Sequence, residues 1–252
     1  MEVIKTEGIV VGETNYSESS KILQIFTKDY GIVSVMSKGC RSVKSKLRGI
    51  SNKLSYASYD ISFKKDGMST LIDGSNIDTL RNIITDIDKV TYLSYILDLT
   101  IQVYKHSSSK EIYPILISII KKLNEDYDPD VLTYIYELKL LDFLGIRPNV
   151  DECSICGSTK SILTISVTDG GYVCDNCYKS GKIYSNNVIK LIRMFIYIDI
   201  DNISKISIKD ETKKELEQFI TDYYDSLSGI YLKSKDFIKN LKKLSNNKKG
   251  SK

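Results

Sequence analysis

Four cysteines carry the most specific chemistry in the chain. Cys153 and Cys156 form one C-x-x-C pair and Cys174 and Cys177 a second, with seventeen residues between the pairs. Two intervening residues let both sulfurs of a tight turn reach one ion. Two such turns complete a tetrahedral thiolate shell, so the pattern reads as one structural Zn²⁺. Gly157 and Gly181 fall where such turns need backbone freedom. The same residues would also serve two disulfides or a redox C-x-x-C pair. Zinc is the expectation because Met1-Glu-Val-Ile-Lys5 offers no signal-peptide core that would send the chain to an oxidising compartment. A catalytic ion keeps one position open for water, and four thiolates leave none. His106, the only histidine, is far away in sequence.

The second chemistry is electrostatic. The net charge is only +4, but it is unevenly placed. Residues 38–53 carry Lys38, Arg41, Lys44, Lys46, Arg48 and Lys53 with no acid, and residues 233–252 carry eight lysines against Asp236. The remainder is net acidic, so the clustering points to a polyanion more than the total does. In the first cluster Gly39, Ser42, Ser45 and Gly49 let main-chain amides approach phosphate oxygens, while the cations release condensed counterions. Lys38, Arg41, Lys44, Lys46 and Arg48 are therefore the candidate DNA-contacting residues, the competing reading being an ordinary solvated basic loop. Tyr16, Phe26, Tyr30, Tyr56, Tyr59 and Phe63 would be stacking platforms if exposed, although strand positions favour core roles for most of them. Cys40 lies inside the basic run, where cations favour its thiolate, but an incidental position is the simpler reading. The basic tail serves equally as a DNA-affinity element or a solubilising end.

These groups need elements to position them. At 252 residues the chain has room for two or three domains, and no apolar run is long enough to cross a membrane. Short apolar or alternating runs at 7–13, 20–27, 31–37, 55–63 and 68–73 predict five strands, separated by turn signals at Asp29-Tyr30-Gly31, Asp66-Gly67 and Asp73-Gly74. Little helix intervenes, so residues 1–76 predict an OB-type barrel, with an SH3-like barrel as the competing form. The basic run falls between the third and fourth strands, as a loop outside the barrel core. After residue 77 the period changes. Val90, Leu93, Leu97, Ile101 and Tyr104 share a helical face, and a second helix follows Ser109 with Pro114 near its start. A third opens at Asp128-Pro129 and stops at Gly145. The run 162–167 and Thr168-Asp169-Gly170-Gly171 predict a hairpin leading into the second cysteine pair, an arrangement that resembles a zinc ribbon. Helices resume near Ser185 and from Asp210, and Ser234 to Leu244 adds a further helical stretch. The expected fold class is α+β: a five-stranded OB-type barrel (1–76), a helical bundle (77–149 and 183–244), an inserted four-cysteine zinc-ribbon module (150–182) and a disordered basic tail (245–252).

Longer strings carry a family resemblance. Glu7-Gly-Ile-Val-Val11, Tyr16-Ser-Glu-Ser-Ser-Lys-Ile-Leu-Gln-Ile-Phe-Thr27, Gly31 and Lys38-Gly-Cys-Arg41 resemble the N-terminal barrel of the bacterial RecO family. Tyr136-Glu-Leu-Lys-Leu-Leu-Asp-Phe-Leu-Gly-Ile-Arg-Pro148, leading into Cys153-Ser-Ile-Cys156-Gly157, is similar to that family's middle, and Leu232-Lys-Ser234 to a late motif. The resemblance spans almost the whole chain in the same order of parts. It implies a recombination mediator that binds single- and double-stranded DNA and anneals complementary strands. It also implies partnership with RecR, with the C-terminal tail of the single-stranded DNA-binding protein, and functionally with RecA. The implied location is the cytoplasm, at the nucleoid.

Several enzyme signatures are missing. There is no G-x-x-x-x-G-K-[ST] loop, no carboxylate cluster suited to nuclease metals and no histidine near a nucleophile. Glu125-Asp126-Tyr127-Asp128-Pro129-Asp130 reads as helix capping rather than a metal site. Asp199-Ile200-Asp201-Asn202 begins like a calcium loop, but Ile203 and Ser204 break that pattern. The expectation is therefore a non-enzymatic DNA-binding mediator. The competing readings are a zinc-stabilised nucleic-acid-processing enzyme, recognised by turnover, and a protein-only adaptor, recognised by the lack of salt-sensitive DNA binding.

Overall fold

The structure, a computed structural model, describes residues 2–65 and 67–230 together with Ser234 and Ile238. The stretch from Ser234 to Leu244, the tail 245–252, Leu232-Lys233 and Asp66 of the Asp66-Gly67 turn otherwise lie outside the described residues. The chain forms two compact units, Met1–Ile117 and Ser118–Lys252.

In the first unit five strands, β1 (Glu2–Asn15), β2 (Lys21–Thr27), β3 (Gly31–Ser37), β4 (Tyr56–Phe63) and β5 (Ser69–Asp78), close into a barrel in the order β1-β2-β3-β5-β4. Every pairing is antiparallel except β3 with β5. This is the OB-type arrangement, and closure leaves no long free edge. Alternation along the strands turns Ile4, Leu23, Ile25, Val35, Ile61 and Leu71 into the interior. A bulge between Val10 and Gly12 bends β1 and leaves both Val10 and Val11 buried. The outer face is covered too. Phe26 meets Tyr104 at 5.3 Å and Tyr113 at 5.5 Å between ring centroids, joining the barrel to α2 (Ile87–Ser107) and to the start of α3 (Ile112–Asn124).

Three expectations need correction here. First, β1 begins at Glu2, five residues before the expected start at Glu7, because pairing with β4 continues to Glu2↔Phe63 where the alternation is too polar to read. Second, Asp73-Gly74 is no turn. It lies inside β5, where Asp73 pairs with Asp60 and Gly74 with Tyr59. Glycine is needed there for close approach: a Cβ at Gly74 would lie 2.6 Å from the Ser58 carbonyl oxygen and 2.7 Å from Ile50 Cδ1. Third, the basic run is not wholly outside the core. It winds through a one-turn 3-10 helix, Arg48–Ile50, whose Ile50 is 3% exposed and belongs to the barrel core, with Leu47 packed against it. The short α1 (Arg81–Ile84) also carried no sequence signal of its own.

The second unit is built on α4 (Pro129–Phe143). Asp128 caps it by accepting from the amides of Asp130 and Val131, and Pro129 takes the first position. Gly145, with φ +69, ends it, and Ile146 N–H returns to the Leu141 carbonyl at 3.0 Å. Lys213 of α6 (Asp210–Leu227) pairs with Asp128 at 2.6 Å and Asp130 at 3.3 Å, so those acids are occupied by capping and ion pairing. Tyr224 donates to the Glu137 carbonyl at 2.8 Å, fixing α6 against α4. Between α4 and α5 (Asn186–Tyr197) a hairpin is inserted, β6 (Ile162–Ser166) and β7 (Gly171–Cys174). Asp199 caps a short 3-10 turn, Ile200–Asn202, by accepting from the Asp201 amide, so the calcium-loop lookalike is a capping device.

Removing the buried side chain that joins the basic run to the barrel tests this account of the first unit. Ile50→Ala should lower stability by about 2–5 kcal/mol, as for other large-to-small core changes. Denaturant unfolding measures it, and an unchanged midpoint would mean that Ile50 is not a core residue.

Candidate metal centre and nucleic-acid interface

The four cysteines converge although they come from two separated turns. Their Sγ atoms all lie within 4.8 Å of one another, and Cys156 Sγ is 3.7 Å from Cys174 Sγ. A tetrahedral ion with Zn–S bonds of about 2.3 Å places its sulfurs about 3.8 Å apart, so the quartet fits that geometry. Both turns close alike. The Cys153 carbonyl accepts from Gly157 N–H at 2.8 Å, and the Cys174 carbonyl accepts from Cys177 and Tyr178 N–H at 3.2 and 3.0 Å. Gly157 has φ +74 and Gly181 φ +122, the freedom expected at those positions. β7 delivers Cys174, and the module is tied to α5 by Tyr172 Oη donating to the Ile189 carbonyl at 2.9 Å and Arg193 Nε to the Val150 carbonyl at 3.0 Å.

The electrostatics favour a cation. Burial works against the Cys153 thiolate, but N–H donors from Cys174, Cys156 and Ile155 outweigh it and bring that thiol down to about 6. Hydrogen bonds to Cys156 and Cys174 push the Cys177 thiol up to about 12. A divalent ion held by the four sulfurs would displace the protons that remain on them. Cys153 and Cys174 are buried, Cys177 is half-buried and Cys156 is exposed, so the ion would sit at the edge of the fold.

The basic candidates form a different surface. Lys38, Arg41, Lys44, Lys46 and Arg48 are all exposed, and among the described residues none of them pairs with a carboxylate. Lys53, the sixth cation of the run, is instead paired with Asp98 at 3.1 Å. The segment is anchored at both ends. Gly39 N–H donates to Ser20 Oγ at 3.2 Å, Arg41 N–H to the Ser19 carbonyl at 3.0 Å and Arg41 Nη1 to the Ser17 carbonyl at 2.9 Å. At the far end Tyr59 Oη, buried in the barrel, donates to the Ile50 and Ser55 carbonyls. Cys40 is 2% exposed, a packed core side chain under the segment.

Of the six aromatics singled out from the sequence, Phe26, Tyr56 and Tyr59 are buried and Phe63 is half-buried, whereas Tyr16 and Tyr30 are exposed. Sequence reasoning named all six without separating them. Exposure is decided by which strand face closes inward, and Tyr16 escapes by lying in the turn between β1 and β2.

Residues 1–80 match the family model for the Recombination protein O N terminal domain, and residues 84–236 that for its C terminal domain. The chain is 35% identical over 246 residues to a DNA repair protein RecO from Listeria monocytogenes, covering 96% of each chain. It is 35% identical over 245 residues to one from Halalkalibacterium halodurans, covering 95% of this chain and 96% of the relative, and 32% identical over 249 residues to one from Bacillus pumilus, covering 96% of each.

The quartet predicts that the purified chain carries about one divalent ion, and that Cys174→Ser both loses it and lowers the thermal midpoint, because metal binding to such a site is folding energy. Metal-free protein with four free thiols and unchanged stability would contradict this.

Proposed function

The chain belongs to the RecO family of DNA repair proteins, and from that premise we propose that it is a recombination mediator that anneals complementary strands and helps load a recombinase onto coated single-stranded DNA. The observation that carries the reading is the anchored segment 38–48, with five exposed cations unopposed by carboxylates among the described residues. Cations held on a small-residue backbone screen phosphate repulsion without demanding a sequence, and two strands brought together that way remain free to pair. Such work needs no bond-breaking machinery and no nucleotide hydrolysis.

Zinc is the proposed occupant of the cysteine quartet, one ion per chain, acting to hold the module between α4 and α5. When bound it supplies structural cross-linking only. The functional parts are taken as the barrel at 1–76, the helical domain at 77–149 and 183–244, the four-cysteine module at 150–182 and the basic tail at 245–252. The proposed setting is the bacterial cytoplasm at the nucleoid. Among the described residues, no helix is long and apolar enough to cross a membrane.

The proposed protein partners are RecR, the single-stranded DNA-binding protein and, functionally, RecA. A groove of about 320 Å³ on the second unit supports the second of these. Leu191, Met194, Ile206 and Ile208 line it, with Lys190 and Lys209 beside them. An apolar floor with lysines suits a short tail that is both acidic and hydrophobic.

Replacing Arg41, Lys44, Lys46 and Arg48 together should weaken binding to unrelated DNA sequences alike. Each lost phosphate contact should flatten the log–log salt slope by about 0.7 for single strands. Unchanged affinity and slope would move the interface elsewhere. Annealing of labelled complementary oligonucleotides should proceed without ATP, fall with added salt and continue when one strand is coated by its binding protein. A strict ATP requirement, or strand cleavage, would favour an enzyme.

A further inference from the structure

Cations on the barrel account for phosphate binding, but they treat single strands and duplexes alike. Two exposed apolar side chains sit beside them. Tyr16 is 64% exposed and Val43 is 82% exposed. Leaving such surface in water is unfavourable. Val43 lies between Arg41 and Lys44 in the basic segment itself.

Tyr16 reaches the same place through the fold. β2 pairs with β3 from Lys21↔Ser37 to Thr27↔Gly31, so the turn before β2 and the exit of β3 share one end of the barrel. That turn is pinned by Tyr16 N–H donating to the Ser20 carbonyl at 3.0 Å. The residue after Tyr16 offers the carbonyl that holds the Arg41 guanidinium, and Ser19 holds the Arg41 amide. The tyrosine and the arginine are therefore positioned by one five-residue turn, 16–20. Its only acid is Glu18, and no ion pair joins it to the segment's five cations among the described residues. The other exposed aromatic of the barrel is differently placed. Tyr30 lies at the opposite end of β2, where its ring packs on Phe63 at 5.2 Å between centroids.

We propose that Tyr16 is a base-stacking residue of the interface. Its ring takes an unpaired base of single-stranded DNA while Arg41 and the neighbouring cations hold the adjoining phosphates. The proposal rests on the nucleic-acid reading of the basic segment and adds what that reading lacks, a source of discrimination. A single strand presents both a phosphate and an open base face. A duplex presents phosphates with its bases already stacked on one another, so it gains nothing from Tyr16. Stacking on an aromatic ring is tolerant of sequence, because every base has a π-face. It thus adds single-strand preference without base specificity.

The chain contains no tryptophan, so Tyr16→Trp installs a single reporter. Binding is read independently from the anisotropy of a labelled thymidine oligonucleotide or of a duplex of equal length. The indole emission of Tyr16→Trp should be quenched by the single strand and left unchanged by the duplex. Tyr16→Ala should weaken single-strand binding about tenfold, the size expected for one lost stack. Tyr16→Phe should keep the parent affinity, and duplex binding should be the same for all three. If the single strand binds while the indole emission stays unchanged and Tyr16→Ala matches the parent, the stacking role is overturned and the phosphate reading stands. If Tyr16→Ala loses duplex and single-strand binding equally, Tyr16 supports the turn rather than the base, which also overturns it. If the unmodified chain binds neither DNA, both readings fall together.

Discussion

The burial of Ile50 is the contact on which the proposed nucleic-acid surface depends. A run of cations has no reason to adopt one conformation, since its charges repel and its small residues are flexible. Here the run contains an isoleucine driven into the barrel interior, against which Leu47 also packs, and Tyr59 Oη donates to the Ile50 carbonyl at 3.2 Å. At its start, Cys40 is buried and Arg41 is bonded to the turn 16–20. The charges between these anchors face outward because the apolar residues on either side face in. Fixing the segment lowers the ordering cost that a flexible loop would meet on binding a strand.

The cysteine quartet solves a different problem in the second unit. The hairpin of β6 and β7 has two short strands, and a two-stranded hairpin is marginal in water by itself. Four thiols brought within 4.8 Å would, on binding an ion, supply a cross-link between the two turns. Hydrogen bonds from Tyr172 to the α5 residue Ile189, and from Arg193 of α5 to Val150, join the module to the helices. The cysteine quartet and the basic segment thus occupy different units.

Local codes were legible in the sequence. The cysteine spacing, the Asp128-Pro129 cap, the Gly145 stop and the five alternating runs each depend on a few neighbouring residues, and each element formed close to where its code lies. What was not legible depends on closure of the barrel. Ile50 sits in a charged stretch without periodicity, so nothing local marks it as core. Asp73-Gly74 looks like a turn, yet its glycine serves a close approach to Ser58 and Ile50, which are distant in sequence. Of six barrel aromatics, the one exposed beside the basic segment could be singled out only once the strand faces were known. The five basic candidates were legible as charge; their anchoring was not.

On the proposed reading, DNA is held at the end of the barrel formed by the turn 16–20 and the segment 38–50. The most direct test is photo-crosslinking of the intact chain to a single-stranded oligonucleotide, followed by mass-spectrometric mapping of the crosslinked peptides. Crosslinks should be concentrated in peptides containing residues 16–20 and 38–50, and should be lost when unlabelled competitor strand is added. Crosslinks confined to other segments, with these two peptides recovered unmodified, would contradict it.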